Sequence, residues 1–588
     1  MYTKFELLPN EIVIECFQYL TPAYIFYSFD QLNYRLHTLT RNILLHINFQ
    51  NIRKSIFDGF CHKLAKNPEI KSQIISLQLA NKVVYEQIQA FLSLVPLNEL
   101  VHLRSLILIN LNADIAKQIK IMLPFLTNLS YFSCTTDFGL SDILPVPQQY
   151  FDSMSIKQAT SLTSIMISRC DANELCHLFK CAPMLRYLKI KQFFLSDLRE
   201  ETMRLYDVPA VHLKHFIMEY CGLNFKELEE FLKLMPNLTN LIISGTNDTK
   251  GPFNADDWKS LIITSLLYLH TFKFKWDIEL NNQNKDILGI FQQYQTDFWL
   301  NKHSWFTNYE IHRESAIIYT IPYTSDHYNL IPIENKHANP TIHTSGIFNN
   351  AKNLTLVIDA LKNDYPYYFP AVESLTLMNK YTFYGERIYR LFGFQHIEYM
   401  KAIVNLSNLT HLCILRGIQI ESSAIMLQML RGAPQLSSMK IDTPLLISFL
   451  DDVELCKYLN EKIKNLNVYS DVGWPFIKSN RRDLFCERFS NLEQLQCSFE
   501  KPDDLLFLLT RLIKLSMIGY EYIIGTFPET QYEWLKENTS KLNMDFLFRM
   551  DNTTIMSDSK YCIVKCRLSY MWIGRPCSNY AQWGSQNF

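Results

Sequence analysis

The pattern L-x-x-L-x-L returns along this chain at intervals that only a stacked architecture satisfies. It appears as Leu103-Arg-Ser-Leu106-Ile-Leu108, Leu185-Arg-Tyr-Leu188-Lys-Ile190 and Leu238-Thr-Asn-Leu241-Ile-Ile243. Starting positions Ile74, Leu103, Leu129, Leu162, Leu185, Leu213, Leu238 and Leu269 are separated by 29, 26, 33, 23, 28, 25 and 31 residues. Each motif alternates apolar and polar residues as a strand does. Between motifs lie helical patterns that stop at a proline, as in LEEFLKLMPNL around Pro236, NELCHLFKCAPML around Pro183 and AIMLQMLRGAPQL around Pro434. Strand, turn, helix and proline stop make one unit, too small to bury its own apolar face, so neighbouring units must stack. The expected class is α/β.

The series continues at Val372, Leu409, Leu436, Ile463 and Leu492, with a last candidate at Leu512-Ile-Lys-Leu515-Ser-Met517. Cys170 and Cys221 follow their strands where a polar ladder residue is expected, and Asp137 and Thr246 occupy equivalent places. This pattern resembles leucine-rich repeats of the ribonuclease-inhibitor-like and F-box-associated classes. The resemblance implies a curved solenoid, strands on a concave protein-binding face and helices on a convex one.

Two regions break the period. Residues 276–350 read as an aromatic and histidine-rich insertion or a distorted pair of repeats with strand-like alternation. Its Trp299, Trp305, Tyr309, Tyr319 and Tyr323 are candidate target-binding residues, because aromatic side chains concentrate at interfaces; the competing reading is that they pack a misshapen repeat. The C-terminal MDFLFRMDNTTIMSDSKYCIVKCRLSYMWIG reads as two strands joined by a polar loop, a β cap over the last repeat. The expected segments are 1–45 helical, 46–275 first repeats, 276–350 insertion, 351–540 second repeats and 541–588 cap.

The first forty residues differ from the rest. PNEIVIECFQYLTP predicts a helix over about 9–20, with Pro9 in the first turn and Thr21-Pro22 ending it. Glu11, Glu15 and Gln18 form one polar stripe, which leaves Ile12 and Phe17 on other faces and open to intermolecular burial. AYIFYSFDQLNYRLHTL supplies further apolar helical turns. A unit this short, carrying this much apolar surface, implies docking both to the next domain and to another chain.

The segment LLPNEIVIECFQYLTPAYIFYSFDQLNYRLHTL resembles an F-box, the adaptor-binding motif of receptors in cullin-RING ubiquitin ligases. Leu8-Pro9, Glu11-Ile12, Phe17 and Leu20 carry the match, followed by Leu32 to Leu36 around Arg35. The resemblance implies contact of Leu8, Pro9, Ile12, Phe17 and Leu20 with a Skp-type adaptor, and through it a cullin. Many F-boxes carry Cys-Arg-x-Trp near the third helix; this chain has Asn33-Tyr34-Arg35-Leu36.

Fifty-seven basic residues face 58 acidic ones, and no block of like charge suggests a nucleic-acid partner. The N-terminus has no signal-peptide pattern and no run reaches the roughly 18 apolar residues that span a bilayer. A soluble protein of the cytoplasm, the nucleus or both is expected, away from membranes. Its 14 cysteines are scattered and read as reduced core thiols. Sequons at Asn128, Asn237 and Asn408 fall where repeats begin their strands, which points to repeat residues and not to glycan sites.

No phosphate-binding loop, dinucleotide fingerprint, H-E-x-x-H or nucleophile elbow occurs. His303, His312, His327, His337 and His343 lack cysteine partners at ligand spacing, and Cys562, Cys566 and Cys577 do not complete a zinc set. The carboxylates of Glu227, Glu229 and Glu230 suit a solvated helix face. We therefore expect no catalytic residues, no metal, no cofactor and no enzyme activity. The expected role is substrate recognition in an SCF-type ligase, with a target protein on the repeats. The alternative is a repeat scaffold or enzyme regulator outside any ligase.

Overall fold

The computed structural model describes residues 5–30, 32–50, 52, 54–81, 87–136, 143, 161–194, 208–246, 254–280, 286–333, 335–337, 346–361, 367–379, 389–469, 481–499, 501–523, 531–542, 544–559 and 562–574. The chain forms two compact units, Met1–Phe306 and Thr307–Phe588. The division falls inside the segment expected as one insertion, so residues 276–306 belong to the first unit.

The first unit begins with a 3-10 turn, Phe5–Leu7, and three short helices: α1 (Asn10–Gln18), α2 (Pro22–Ser28) and α3 (Tyr34–Arg41). Pro9 occupies the cap of α1 with extended ψ, one place before the first turn where it was expected. Pro22 stands in the first turn of α2, where its missing N–H costs nothing. Asn33 caps α3 by accepting from the Leu36 N–H at 2.8 Å. Val13, Phe17, Ile25, Leu36 and Leu39 form a small core between the helices.

Among the described residues nine strands follow: β1 (Leu45–Asn48), β2 (Ile74–Ala80), β3 (Ser105–Leu111), β4 (Tyr131–Thr136), β5 (Ser164–Asp171), β6 (Tyr187–Phe194), β7 (His215–Cys221), β8 (Asn240–Thr246) and β9 (Thr271–Glu279). All pair parallel in chain order. The repeat leucines fall into register: one buried row runs Leu77, Leu106, Phe132, Ile165, Leu188, Phe216, Leu241, Phe272. β1 lies upstream of the first motif recognised in the sequence, because four residues are too short to show a repeat.

Each repeat is tied to the previous one in the same way. The N–H groups of Ser130 and Tyr131 both donate to the Arg104 carbonyl, and those of Lys214 and His215 both donate to that of Arg186. The sequon asparagines serve the same stitch: Asn128, Asn237 and Asn408 donate from Nδ2 to the carbonyls of Val101, Val211 and Pro370 at 2.8, 2.8 and 2.9 Å. These amides hold one repeat to the last, which explains the asparagine at the start of these three motifs.

The second unit starts with an antiparallel pair, β10 (Thr307–Ile311) and β11 (Ser315–Thr320). Strand β12 (His327–Leu330) opens a second sheet, and β13 (Asn335–His337) pairs antiparallel with β10. The sheet continues through β14 (Asn353–Val357) and β15 (Ser374–Met378). A side pair, β16 (Arg390–Phe392) with β18 (Ile418–Ile420), flanks β17 (His411–Ile414). Then come β19 (Ser438–Asp442), β20 (Asn465–Tyr469), β21 (Gln494–Phe499) and β22 (Met517–Ile523), all parallel.

Three expectations change here. The repeat at β14 was missed because Ala351, fully buried, stands where the first leucine is expected. The last motif is shifted: Leu495 pairs with Ile518 and Cys497 with Tyr520, so the frame is Leu515-x-x-Ile518-x-Tyr520. Leu512 instead caps the end of the preceding helix Pro502–Arg511, as Gly432 caps the helix Ser423–Arg431. At the C-terminus, β23 (Asp545–Ser559) and β24 (Cys562–Gly574) form an antiparallel pair, and β24 also pairs with β22. Residues expected as a polar loop continue β23, with a register break between Met550 and Thr554. Main-chain pairing to β24 carries the strand through Asp558, a residue type that strands disfavour.

Candidate functional site

α1 carries two different apolar faces. Val13 and Phe17, four residues apart, enter the core, and Phe17 is 2% exposed with its ring 5.1 Å from Phe29. The expectation that Phe17 is free for a partner is therefore corrected, since α2 and α3 close over that face. Outside remain Ile12 at 43%, Leu20 at 39%, Tyr19 at 83%, Leu32 at 62% and Tyr34 at 86% exposure. Pro9 is exposed and Leu8 is half-buried against the core.

Arg35 holds the Leu8-Pro9 turn in place. Its Nε donates to Asn10 Oδ1 at 2.8 Å, and its two other nitrogens donate to the carbonyls of Glu6 and Leu8. The sequence showed an arginine near the third helix without showing this work. Only the folded trio brings residues 6–10 beside it.

Asp30 ties the trio to the helix α4 (Lys54–Lys66). Its carboxylate has no exposed surface and meets His37 Nδ1 at 2.9 Å, Arg41 at 3.5 Å and the Lys63 ammonium. Burial raises the Asp30 pKa, but hydrogen bonding and charge from Lys63, His37 and Arg41 outweigh it and leave the pKa lowered. Lys63 is lowered, chiefly by burial, against the opposing pull of Asp30. Both cations also lie over the Phe26 ring, 5.5 Å from its centroid, and Phe26 meets Phe60 of α4.

The five candidate aromatics lie inside, and their expected exposure is corrected. Trp299 (1% exposed) and Trp305 pack in the first unit against Phe272, Tyr294 and Phe298. Trp305 Nε1 donates to the His270 carbonyl at 3.2 Å. Tyr309, Tyr319 and Tyr323 are buried in the second unit. There Glu310, itself buried, accepts from the hydroxyls of Tyr319 and Tyr328. Burial, then the neighbouring Glu310 charge, pushes both tyrosines well up. These aromatics, from the helical turn Phe298–Lys302, the strands β10 and β11 and the segments between elements, fill interior space, so their density marks a core.

The histidines disperse. His303 stacks on Trp305, His312 lies between Glu310 and the Pro332 carbonyl, and His327 pairs with exposed Asp326. His337 is on β13, whereas His343, Asp137 and Cys577 lie outside the described residues. Among the described residues no cluster of three or more His, Cys, Asp or Glu could hold a metal. Eleven described cysteines are unpaired thiols, and burial pushes Cys221 up to about 12. Cys170 and Cys221 are buried, and Gly245, not Thr246, stands opposite Cys221. Glu227 closes a capping box with Asn224, and Glu229 pairs with Lys233. No helix of the described residues is long and apolar enough to cross a membrane.

The outward faces of the two repeat sheets differ in chemistry. On β20 and β21 Asn467 donates to Gln496 at 2.8 Å, and on β17 and β19 His411 meets Ser438 at 2.8 Å. That face in the second unit carries such polar pairs, with Lys440 over the Tyr469 ring, 5.3 Å from its centroid. In the first unit the corresponding positions hold half-buried Ile107, Met166, Ile217 and Ile242 interspersed with lysines.

No protein-family model and no curated protein sequence matches the chain. Among solved structures, it is similar to the leucine-rich repeat-containing protein LegL7 from Legionella pneumophila at 12% identity, covering 65% of this chain and 92% of that one, with a TM-score of 0.22. A leucine-rich-repeat protein of Leptospira interrogans is similar at 12% identity, over 78% of this chain and 97% of that one, with a TM-score of 0.18. The chain's own strand register aligns the motif leucines across parallel strands, so each unit is a stack of strand-helix repeats.

Proposed function

We propose that this chain is a recognition subunit whose N-terminal helices dock on a Skp-type adaptor, as an F-box does, and so join a cullin-RING ubiquitin ligase. The repeats then hold a target protein, and β23–β24 cap the last repeat. The observation that carries this reading is the apolar surface of Ile12, Leu20, Leu32 and Tyr34, which the short helical trio leaves uncovered beside the Leu8-Pro9 turn. Several exposed apolar side chains on so small a module favour burial against a partner. The chain contributes geometry to the ligase, and ubiquitin transfer is left to other subunits.

Co-purification with a Skp-type adaptor tests the assignment, followed by calorimetric titration. With about 40% of each side chain still uncovered, its burial is worth roughly 0.6–1.2 kcal/mol, so Ile12→Asp with Leu20→Asp should weaken adaptor binding at least about tenfold. Glu15→Ala, on the solvated stripe, should leave affinity unchanged, and Phe17→Ala should lower thermal stability instead of touching the contact directly. An unchanged affinity for the Ile12/Leu20 variant sinks the adaptor assignment and favours a repeat scaffold outside the ligase.

A further inference from the structure

The outward face of the first unit's sheet has a charge imbalance confined to β5–β9. Of its carboxylates, Glu219 is paired with Lys189 at 2.5 Å and Asp277 with Lys275 at 2.8 Å. Asp171 is committed to the capping box of the helix Ala172–Cys181, and Glu279 stands at the far end of β9. Arg186, Lys191, Lys214 and Lys273 have no carboxylate partner among the described residues. Arg186 and Lys214 are exposed at the edge of the face, each one residue before its strand, and Lys191 is exposed on β6. Lys273 is half-buried on the face, and that burial holds its pKa below the ordinary lysine value.

The same strands present aliphatic side chains between these cations. Met166, Ile217 and Ile242 are half-buried on the face, and Met166 accepts a hydrogen bond from the Tyr131 hydroxyl. An ammonium left unpaired beside aliphatic surface gains most from an anion that brings its own apolar groups, because the pair is then shielded from water. A nucleic acid supplies the anions but no aliphatic surface. On the second unit's face the ammonium of Lys440 already lies over the Tyr469 ring, 5.3 Å from its centroid, and is engaged there.

We propose that the β5–β9 face of the first unit docks an extended acidic segment of a protein in which carboxylates alternate with aliphatic side chains. The inference rests on the reading of the repeats as the recognition part of the molecule, and is independent of the N-terminal helices. Arg186, Lys191, Lys214 and Lys273 take the carboxylates, and Met166, Ile217 and Ile242 take the aliphatic groups.

The test uses the full chain and fluorescein-labelled synthetic peptides in which leucine alternates with glutamate, with glutamine or with lysine. Fluorescence anisotropy should show the glutamate peptide binding at least about tenfold tighter than the glutamine peptide, with affinity falling as salt rises. Lys214→Glu with Lys273→Glu should abolish that preference, and Lys214→Gln with Lys273→Gln should reduce it while leaving the melting temperature unchanged. Ile217→Ser should weaken the glutamate peptide and the glutamine peptide alike. Equal affinity for the two peptides, tighter binding of a labelled single-stranded oligonucleotide, or indifference of the glutamate peptide to all these substitutions overturns the proposal. Adaptor affinity of the parent chain is titrated in parallel: if the parent binds no adaptor while its preference for the glutamate peptide holds, the N-terminal reading has failed and the docking face stands.

Discussion

Asp30→Ala should destabilise the N-terminal half of the first unit by about 3–5 kcal/mol, the usual result of leaving buried cations without their anion. Lys63 is 10% exposed at its side chain and Arg41 15%, so neither can simply turn to water when the carboxylate is removed. The helical trio should then loosen from α4, because Asp30 joins groups from both sides of that contact. Thermal unfolding combined with amide hydrogen exchange across residues 10–66 reads the loss where it occurs. Asp30→Leu with Lys63→Met should recover part of it, since two apolar groups avoid the stranded charge. Exchange rates in α1–α4 equal to those of the parent chain would show that the cluster does not hold the trio.

The same site sets a pH dependence. The folded pKa of Asp30 lies below its unfolded value, so its contribution is complete above the unfolded value near 3.8 and is lost as pH falls through the lower folded value. The stability gap between the parent chain and Asp30→Asn should therefore be constant near neutrality and shrink below about pH 4. A gap that persists unchanged into that acid range contradicts the pairing.

Trp299→Ala should lower the stability of the first unit by about 3–5 kcal/mol, the usual range for deleting a large buried aromatic. Its ring sits 4.9 Å from Tyr294, 5.2 Å from Phe298, 5.8 Å from Trp305 and 6.0 Å from Phe272, so the cavity is walled by other rigid rings that cannot collapse into it. The melting temperature should fall with adaptor affinity unaltered. Retention of the parent melting temperature by this variant would mean that the aromatic cluster is not a core and would return Trp299 to the candidates for target contact.

These expectations sort into two kinds by where their information lies. The spacing of Leu103, Leu185 and Leu238 names the strands and the stacking before any coordinates, because a strand has a period of two and one repeat cannot bury its own apolar face. The N-terminal helix is equally legible from Pro9, Glu11 and Thr21-Pro22. Ala351 and Leu512 obscured repeats only locally: the first is small where leucine is expected, and the second is a leucine at the end of a helix.

The fate of individual side chains was not legible. Ile12 and Phe17 both lie off the polar stripe of α1, and nothing along the chain says that Phe17 turns inward while Ile12 stays out. That choice belongs to α2 and α3, which cover one apolar face of α1 and not the other. Likewise Asp30 and Lys63 are 33 residues apart in the numbering, and Arg35 lies 27 from Leu8, so each pairing exists only once the trio has closed. The aromatics of residues 299–323 have the composition of an interface and the burial of a core. The repeat period specifies which elements stack, because it is a property of local residue order; which face of an element meets solvent depends on neighbours distant in the chain, and only their packing settles it.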